Sequence, residues 1–155
     1  MTRVRILYAL EFLEEWRFVK SVFKNQPLLR ANDLVYDMTG KGKPLWLPYH
    51  VVRNFEKADE LYFTYDHDPK RPLGHIENVY WDPQTGFIRG DIVIDKEHED
   101  FVRKALEKGI NGISVEILVR EDRLPHVNIA KKIKLLGASL VQNPACHKCR
   151  IEVEE

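Results

Sequence analysis

Residues 109 to 120 read GINGISVEILVR, and the alternation inside them decides the fold class. Ile113, Val115, Ile117 and Val119 point one way along an extended chain, while Ser114, Glu116 and Arg120 point the other. This is a strand with one apolar face. It comes after the clearest helix in the chain, KEHEDFVRKALEK at 96–108. Asp95 is placed to cap that helix, Glu97, Glu99 and Asp100 fill its first turn, and Lys104 and Lys108 come late, an order that suits the helix dipole. Phe101, Val102, Ala105 and Leu106 form its apolar stripe, and Gly109 is a natural stop.

Working outward, HIENVYW and FIRGDIVID flank a turn at Asp82–Gly86 and read as a hairpin, with Pro83 and Gly86 suited to the turn positions. LYFTYD at 61–66 reads as an aromatic strand, preceded by a short helical segment near His50 to Ala58. MTGKGKPLWLP at 38–48 reads as a loop. Val4 to Phe12 reads as a strand and Glu14 to Phe23 as a short helix. Downstream, EDRLPHVN is a loop leading to a final strand, IKLLGASLV. At least five strands in mostly hairpin-compatible order mean an α+β fold or a decorated barrel, not a βαβ repeat.

The 155 residues fit one domain, 1–155, with 44% hydrophobic and 31% charged residues. Lys+Arg and Asp+Glu stand at 24 each, so no basic excess points to nucleic acid. No run approaches the roughly 18 apolar residues that span a bilayer. Arg3 and Arg5 before Ile6–Leu10 imitate a signal peptide, but the apolar run is too short, and Glu11, Glu14 and Glu15 put charge directly after it. The expected location is therefore cytoplasmic, with no membrane partner. Both cysteines lie in Cys146-His-Lys-Cys149, a lone pair without the second ligand pair of a zinc ribbon, and they read as incidental or structural thiols.

Two places carry the residue types of hydrolytic chemistry. Ser114 is a hydroxyl on the polar face of its strand, and Gly112 just before it lets another backbone approach closely. YDHDPKRPLGHI at 65–76 brings His67, Asp68 and His75 into one turn-rich stretch. A neutral imidazole can take a serine proton at physiological pH, so His67 pairs in principle with Ser114. The rival reading makes His67, Asp68 and His75 the ligands of a metal-dependent hydrolase, a spacing that fits no specific zinc signature.

TYDHDPKRPLGHI, the acid-capped helix, GINGISVEI and LLGASLVQNPAC, in that order over roughly residues 60–150, resemble the prohead proteases of tailed viruses. The matching features are His67-Asp68 with Pro72-Leu73-Gly74, the run from Gly109 to Ser114, and Gly137-Ala-Ser-Leu-Val-Gln-Asn-Pro-Ala145. The resemblance implies a small, mainly antiparallel β-barrel wrapped by a few helices, as in the herpesvirus assemblin-type proteases. It implies a serine endopeptidase with Ser114 as nucleophile and His67, 47 residues earlier, as base. Its substrates would be scaffold and major capsid proteins, and the chain itself. It would act inside the procapsid in the host cytoplasm as a homo-oligomer, without a cofactor.

One departure bears on the third catalytic group. Gly137 stands where the relatives often carry an acid. Ser139 shares a strand face with Gly137 and is the expected partner of the His67 imidazole, with Asp68, Glu116 and His126 as alternatives. The missing acid also leaves room for a non-enzymatic scaffold component on the same fold. A chain ending soon after the last strand, at IEVEE, also fits a trimmed form.

Overall fold

In a computed structural model, residues 1–8, 21–37, 42–142 and 149–153 are described. The strand around Ser114 is β8, Gly112–Arg123, if the strands are numbered along the chain as β1 Thr2–Tyr8, β2 Val22–Arg30, β3 Asp33–Asp37, β4 Leu45–Leu47, β5 Glu56–Tyr65, β6 Asp68–Asp82 and β7 Phe87–Ile94. β9, Asn128–Val141, and β10, Cys149–Val153, complete the set, and two helices, α1 Tyr49–Arg53 and α2 Glu99–Glu107, interrupt it. β8 and β9 form a long antiparallel hairpin, and β9 is the hub of the sheet. On its other edge β5 and β4 lie parallel to it. The sheet runs β2-β7-β6-β5-β9-β4-β3-β10-β1-β8, and the extra pairing of β8 with β9 curls one end back on the middle.

The sheet is mixed: among the described residues seven strand pairings are antiparallel, in line with the expected mainly antiparallel barrel, and three are parallel. β5∥β9, β4∥β9 and β3∥β10 are all parallel. Alternation reveals which face of a strand is apolar but not the direction of its neighbour, and parallel neighbours need long crossovers that leave no local turn signal. Leu45–Leu47 is a strand although its flanking prolines mark a loop, because it lies between β3 and β9 with Leu45 and Leu47 fully buried. The helix expected to reach Ala58 stops at Arg53, and strand β5 starts at Glu56. Val22 and Phe23, expected at a helix end, open β2, while residues 9–20 lie outside the described set.

The turn glycines behave as their places require. Gly86 at φ +76° closes the β6–β7 hairpin, and Gly109 at φ +82° ends α2. Asp95 caps the short 3₁₀ turn Lys96–His98 that leads into α2, though its side chain makes no capping bond. α2 turns Val102 and Ala105 into the core, while Phe101 stays 38% exposed with its ring edge-on to Tyr65. One contiguous apolar core runs from Val4 and Ile6 through Phe63, Ile92 and Ile117 to Leu140.

Asp91 secures the outer part of the sheet. It is buried on β7 between two bulges, at Asn25 on β2 and Asn78 on β6, both asparagines having left-handed φ of 54°. Its carboxylate accepts the Asn25 N–H at 2.9 Å and the Asn78 amide at 3.0 Å, with Lys24 at 3.4 Å. Burial alone pushes this carboxyl up, but those donors hold it below the ordinary range. Asp91→Ala orphans buried donors at both bulges and is expected to lower unfolding free energy by roughly 2–4 kcal/mol. Guanidinium unfolding measures it. Because the folded pKa is depressed, the wild type's advantage is full above the usual aspartate range and shrinks as pH falls through the lower folded value.

Candidate active site

Two ladder rungs across β8, β9 and β5 build the site. Ser114, Ser139 and Thr64 pair directly along the first, and Glu116, Gly137 and Tyr62 along the second, with Arg5 of β1 opposite Glu116. Paired residues share a sheet face, so every side chain on these rungs points to one side. That face is polar, as the alternation of β8 predicts, yet Ser114 is 0% exposed and Glu116 only 3%.

His67 reaches this face from the tip of the β5–β6 hairpin. Tyr65 pairs with Asp68, leaving Asp66 and His67 as a two-residue loop with φ of 53° and 57°. Two consecutive left-handed residues match a type I′ turn, which the twist of a tight hairpin favours and which Asp and His tolerate better than branched residues. Two bonds from β9 hold the turn down: Asp66 N–H donates to the Leu140 carbonyl at 3.0 Å, and His67 N–H donates to Ser139 Oγ at 3.0 Å. Ser139 Oγ is also hydrogen-bonded to Thr64 Oγ1. Ser139 thus grips the backbone of His67, where a bond to its ring was expected. The ring is directed past β9 to β8.

There His67 Nε2 lies 2.7 Å from Ser114 Oγ, and Nδ1 lies 3.5 Å from Glu116 Oε2. The second contact is longer than a good hydrogen bond, but Nδ1 has no other partner among the described residues, and such bonds often tighten only with substrate bound. Around Glu116 gather Arg3 Nη1 at 3.4 Å, Arg5 Nε at 3.6 Å and the Tyr62 hydroxyl, which donates a hydrogen bond. Burial favours the neutral acid, yet the nearby His67 ring, the Tyr62 hydroxyl and the Arg5 charge outweigh it and hold the Glu116 carboxyl below the ordinary range. Burial, with the adjacent Glu116 charge, pushes the Tyr62 hydroxyl well up, so it stays a proton donor.

Gly137 explains why no acid can stand on β9. A Cβ there would lie 2.5 Å from the Tyr62 carbonyl oxygen and 2.6 Å from its ring. The carboxylate nearest the His67 ring belongs to Glu116, the residue paired with Gly137 across the ladder. Gly137→Ala must push β5 off β9, since a backbone atom is in the way. It is expected to cost about 2–4 kcal/mol of stability and most of the activity, read by thermal unfolding alongside peptide hydrolysis.

The other sequence candidates lie elsewhere. Asp68 accepts the Lys70 N–H within its own loop at 2.9 Å. His75 pairs with Glu77 at 3.1 Å, half exposed. His126 is exposed in the loop at the far end of β8. His67, Asp68 and His75 thus form no common ligand set; among the described residues the one close grouping of that kind is Asp95, Glu97 and His98, next to α2. Cys146 is outside the described residues, and Cys149 begins β10. Tyr62, Thr64, Arg3 and Arg5 are site residues that the sequence does not announce. Nothing local marks them: the arginines alternate on β1 as Ser114 and Glu116 do on β8, and only strand pairing joins the two.

No curated protein matches the chain. Among solved structures, the bacteriophage T4 capsid assembly protease, gp21, matches with a TM-score of 0.55 at 15% identity, over 92% of this chain and 99% of that one, a likeness of fold. The family model described as caudovirus prohead serine protease matches residues 48–155, well over half of the chain. A serine-protease family leaves no place for the reading as a non-enzymatic scaffold component. The chain belongs to the caudovirus prohead serine proteases.

Proposed function

We propose that this serine protease cleaves scaffold and capsid proteins during procapsid maturation through Ser114, His67 and Glu116. The observation that carries the reading is the relay Ser114 Oγ to His67 Nε2 at 2.7 Å with Glu116 behind Nδ1 at 3.5 Å. Ser114 Oγ attacks the peptide carbonyl as His67 Nε2 takes its proton. The imidazolium that forms is stabilised by the Glu116 carboxylate and then protonates the leaving amine, which frees an acyl-enzyme. Water then gives a proton to His67 as its oxygen attacks the acyl carbon, and the acyl–Oγ bond breaks as His67 returns that proton to Ser114 Oγ, releasing the carboxylic acid product. Ser139 is a positioning residue that pins the His67 backbone, and the chemistry calls for no cofactor.

The substrates and setting derive from family membership. Scaffold and capsid proteins are the expected targets, the procapsid interior in the host cell is the expected place, and self-cleavage and self-association belong to the same reading. A fluorophosphonate probe should label Ser114 in the wild type and fail to label Ser114→Ala. The wild type should also release defined fragments from the cognate scaffold, seen by intact mass and unchanged by chelator. Labelling elsewhere, or chelator-sensitive cleavage, would overturn the assignment.

A further inference from the structure

The second rung of the site runs from Arg5 on β1 through Glu116 on β8 and Gly137 on β9 to Tyr62 on β5. Neighbouring strands lie about 4.8 Å apart, so Glu116 and Tyr62, two strands distant, start roughly 10 Å apart at their backbones. A side chain at position 137 would stand between them. With glycine there, the Tyr62 ring lies over β9, with Cδ2 and Cε2 only 2.6 and 2.7 Å from where a Cβ would be. Crossing the strand in this way brings the hydroxyl to the Glu116 carboxylate, and both residues line one cavity beside the relay.

Glu116 is pulled from two sides. Arg3 and Arg5 reach it from β1 at 3.4 and 3.6 Å, and β1 flanks β8 on the side away from β9. His67 comes from the other side, from the tip of the β5–β6 hairpin, with Nδ1 3.5 Å from Oε2. A carboxylate drawn fully onto two guanidinium groups would leave the imidazole without its counter-charge. A donor on the β5 side opposes that pull, and Tyr62 supplies one. Burial first, then the adjacent Glu116 charge, keeps its hydroxyl protonated. On the other side of the ring Asp59, Glu60 and Glu77 line a second cavity, with His75 opposite Tyr62 on β6. All four are exposed, whereas the charges acting on the hydroxyl are those of Glu116, Arg3 and Arg5.

We infer that Tyr62 is a positioning residue of the relay: its hydroxyl, carried over Gly137, holds the Glu116 carboxylate towards His67 against the pull of Arg3 and Arg5. The inference rests on the protease reading above. Tyr62 acts through Glu116 and touches no reacting atom. Its contribution lies in the transition state, where the imidazolium needs the carboxylate in place, and not in substrate binding. Tyr62→Phe isolates the hydroxyl, because the phenylalanine ring still fills the space over Gly137.

Fluorophosphonate labelling of Ser114 comes first, because it tests the protease reading without any peptide. Labelling rates are then compared in wild type, Tyr62→Phe, Glu116→Gln and the double variant. Tyr62→Phe should label on the order of tenfold more slowly than wild type, with a melting temperature within a few degrees of it. In the Glu116→Gln background the same change should cost about twofold or less, because the charge that the hydroxyl holds is already gone. Hydrolysis of a peptide spanning a site that the wild type cuts in its cognate scaffold gives a second readout. There Tyr62→Phe should lower kcat and leave KM within about twofold. An unchanged labelling rate, an equal loss in both backgrounds, or a change confined to KM would overturn the positioning role while leaving the protease reading standing. Absence of labelling and cleavage in the wild type would overturn both.

Discussion

Ser114→Ala is expected to lower kcat by about a millionfold, down to what binding and backbone donors still supply. Ser139 Oγ, on the same rung, cannot take its place, because it is committed to Thr64 Oγ1 and the His67 N–H. The fold should hardly change. Ser114 is fully buried, but it is small, and its one side-chain bond is to the His67 ring, whose backbone is fixed independently. A melting temperature within a few degrees of wild type, beside abolished cleavage, separates chemistry from folding. Residual cleavage near the wild-type rate would move the nucleophile elsewhere.

Glu116→Gln has the second largest expected effect, a fall of roughly 10³- to 10⁴-fold in kcat. The amide keeps the shape but removes the charge that stabilises the imidazolium, and its NH₂ can face His67 Nδ1 and favour the wrong tautomer. KM should move less than kcat, because the loss falls on the transition state. The substitution also changes how stability depends on pH. The Glu116 pKa is depressed below its ordinary 4.5, so the ionised group contributes stability that is fully present above that value and is lost as pH falls through the folded pKa. Wild type should therefore lose more stability than Glu116→Gln between about pH 6 and pH 3. Denaturant midpoints at both pH values measure this difference; parallel losses would mean that Glu116 carries no depressed pKa.

The same group shows where sequence reading reached its limit at the site. Ser114 and His67 were legible because each sits in a pattern with a local cause. One is a serine on the polar phase of an alternating strand, and the other lies in a turn-rich stretch whose order along the chain matches a known family. Glu116 was in view on the same face, two residues from Ser114, but could not be ranked above Ser139, Asp68 or His126. Ranking them needs the direction of the His67 ring. That is decided by a left-handed hairpin tip held by Ser139 and Leu140, and no spacing encodes it.

By itself the sequence determined the elements whose causes are local: the apolar phase of β8, the β6–β7 hairpin with its Gly86 turn, and the stop of α2 at Gly109. Alternation, turn chemistry and capping act over a few residues, so they can be read from a few residues. Only the tertiary structure decided the three parallel pairings, the strand character of Leu45–Leu47, and the arrival of Arg3, Arg5 and Tyr62 around Glu116. Each of these joins residues far apart in the chain through backbone hydrogen bonds, which are the same for every side chain and so leave no mark in the sequence. Gly137 stands between the two cases. As a letter it reads as a missing acid; in the sheet it is the space that the Tyr62 ring occupies while the Tyr62 hydroxyl reaches the acid on the neighbouring strand.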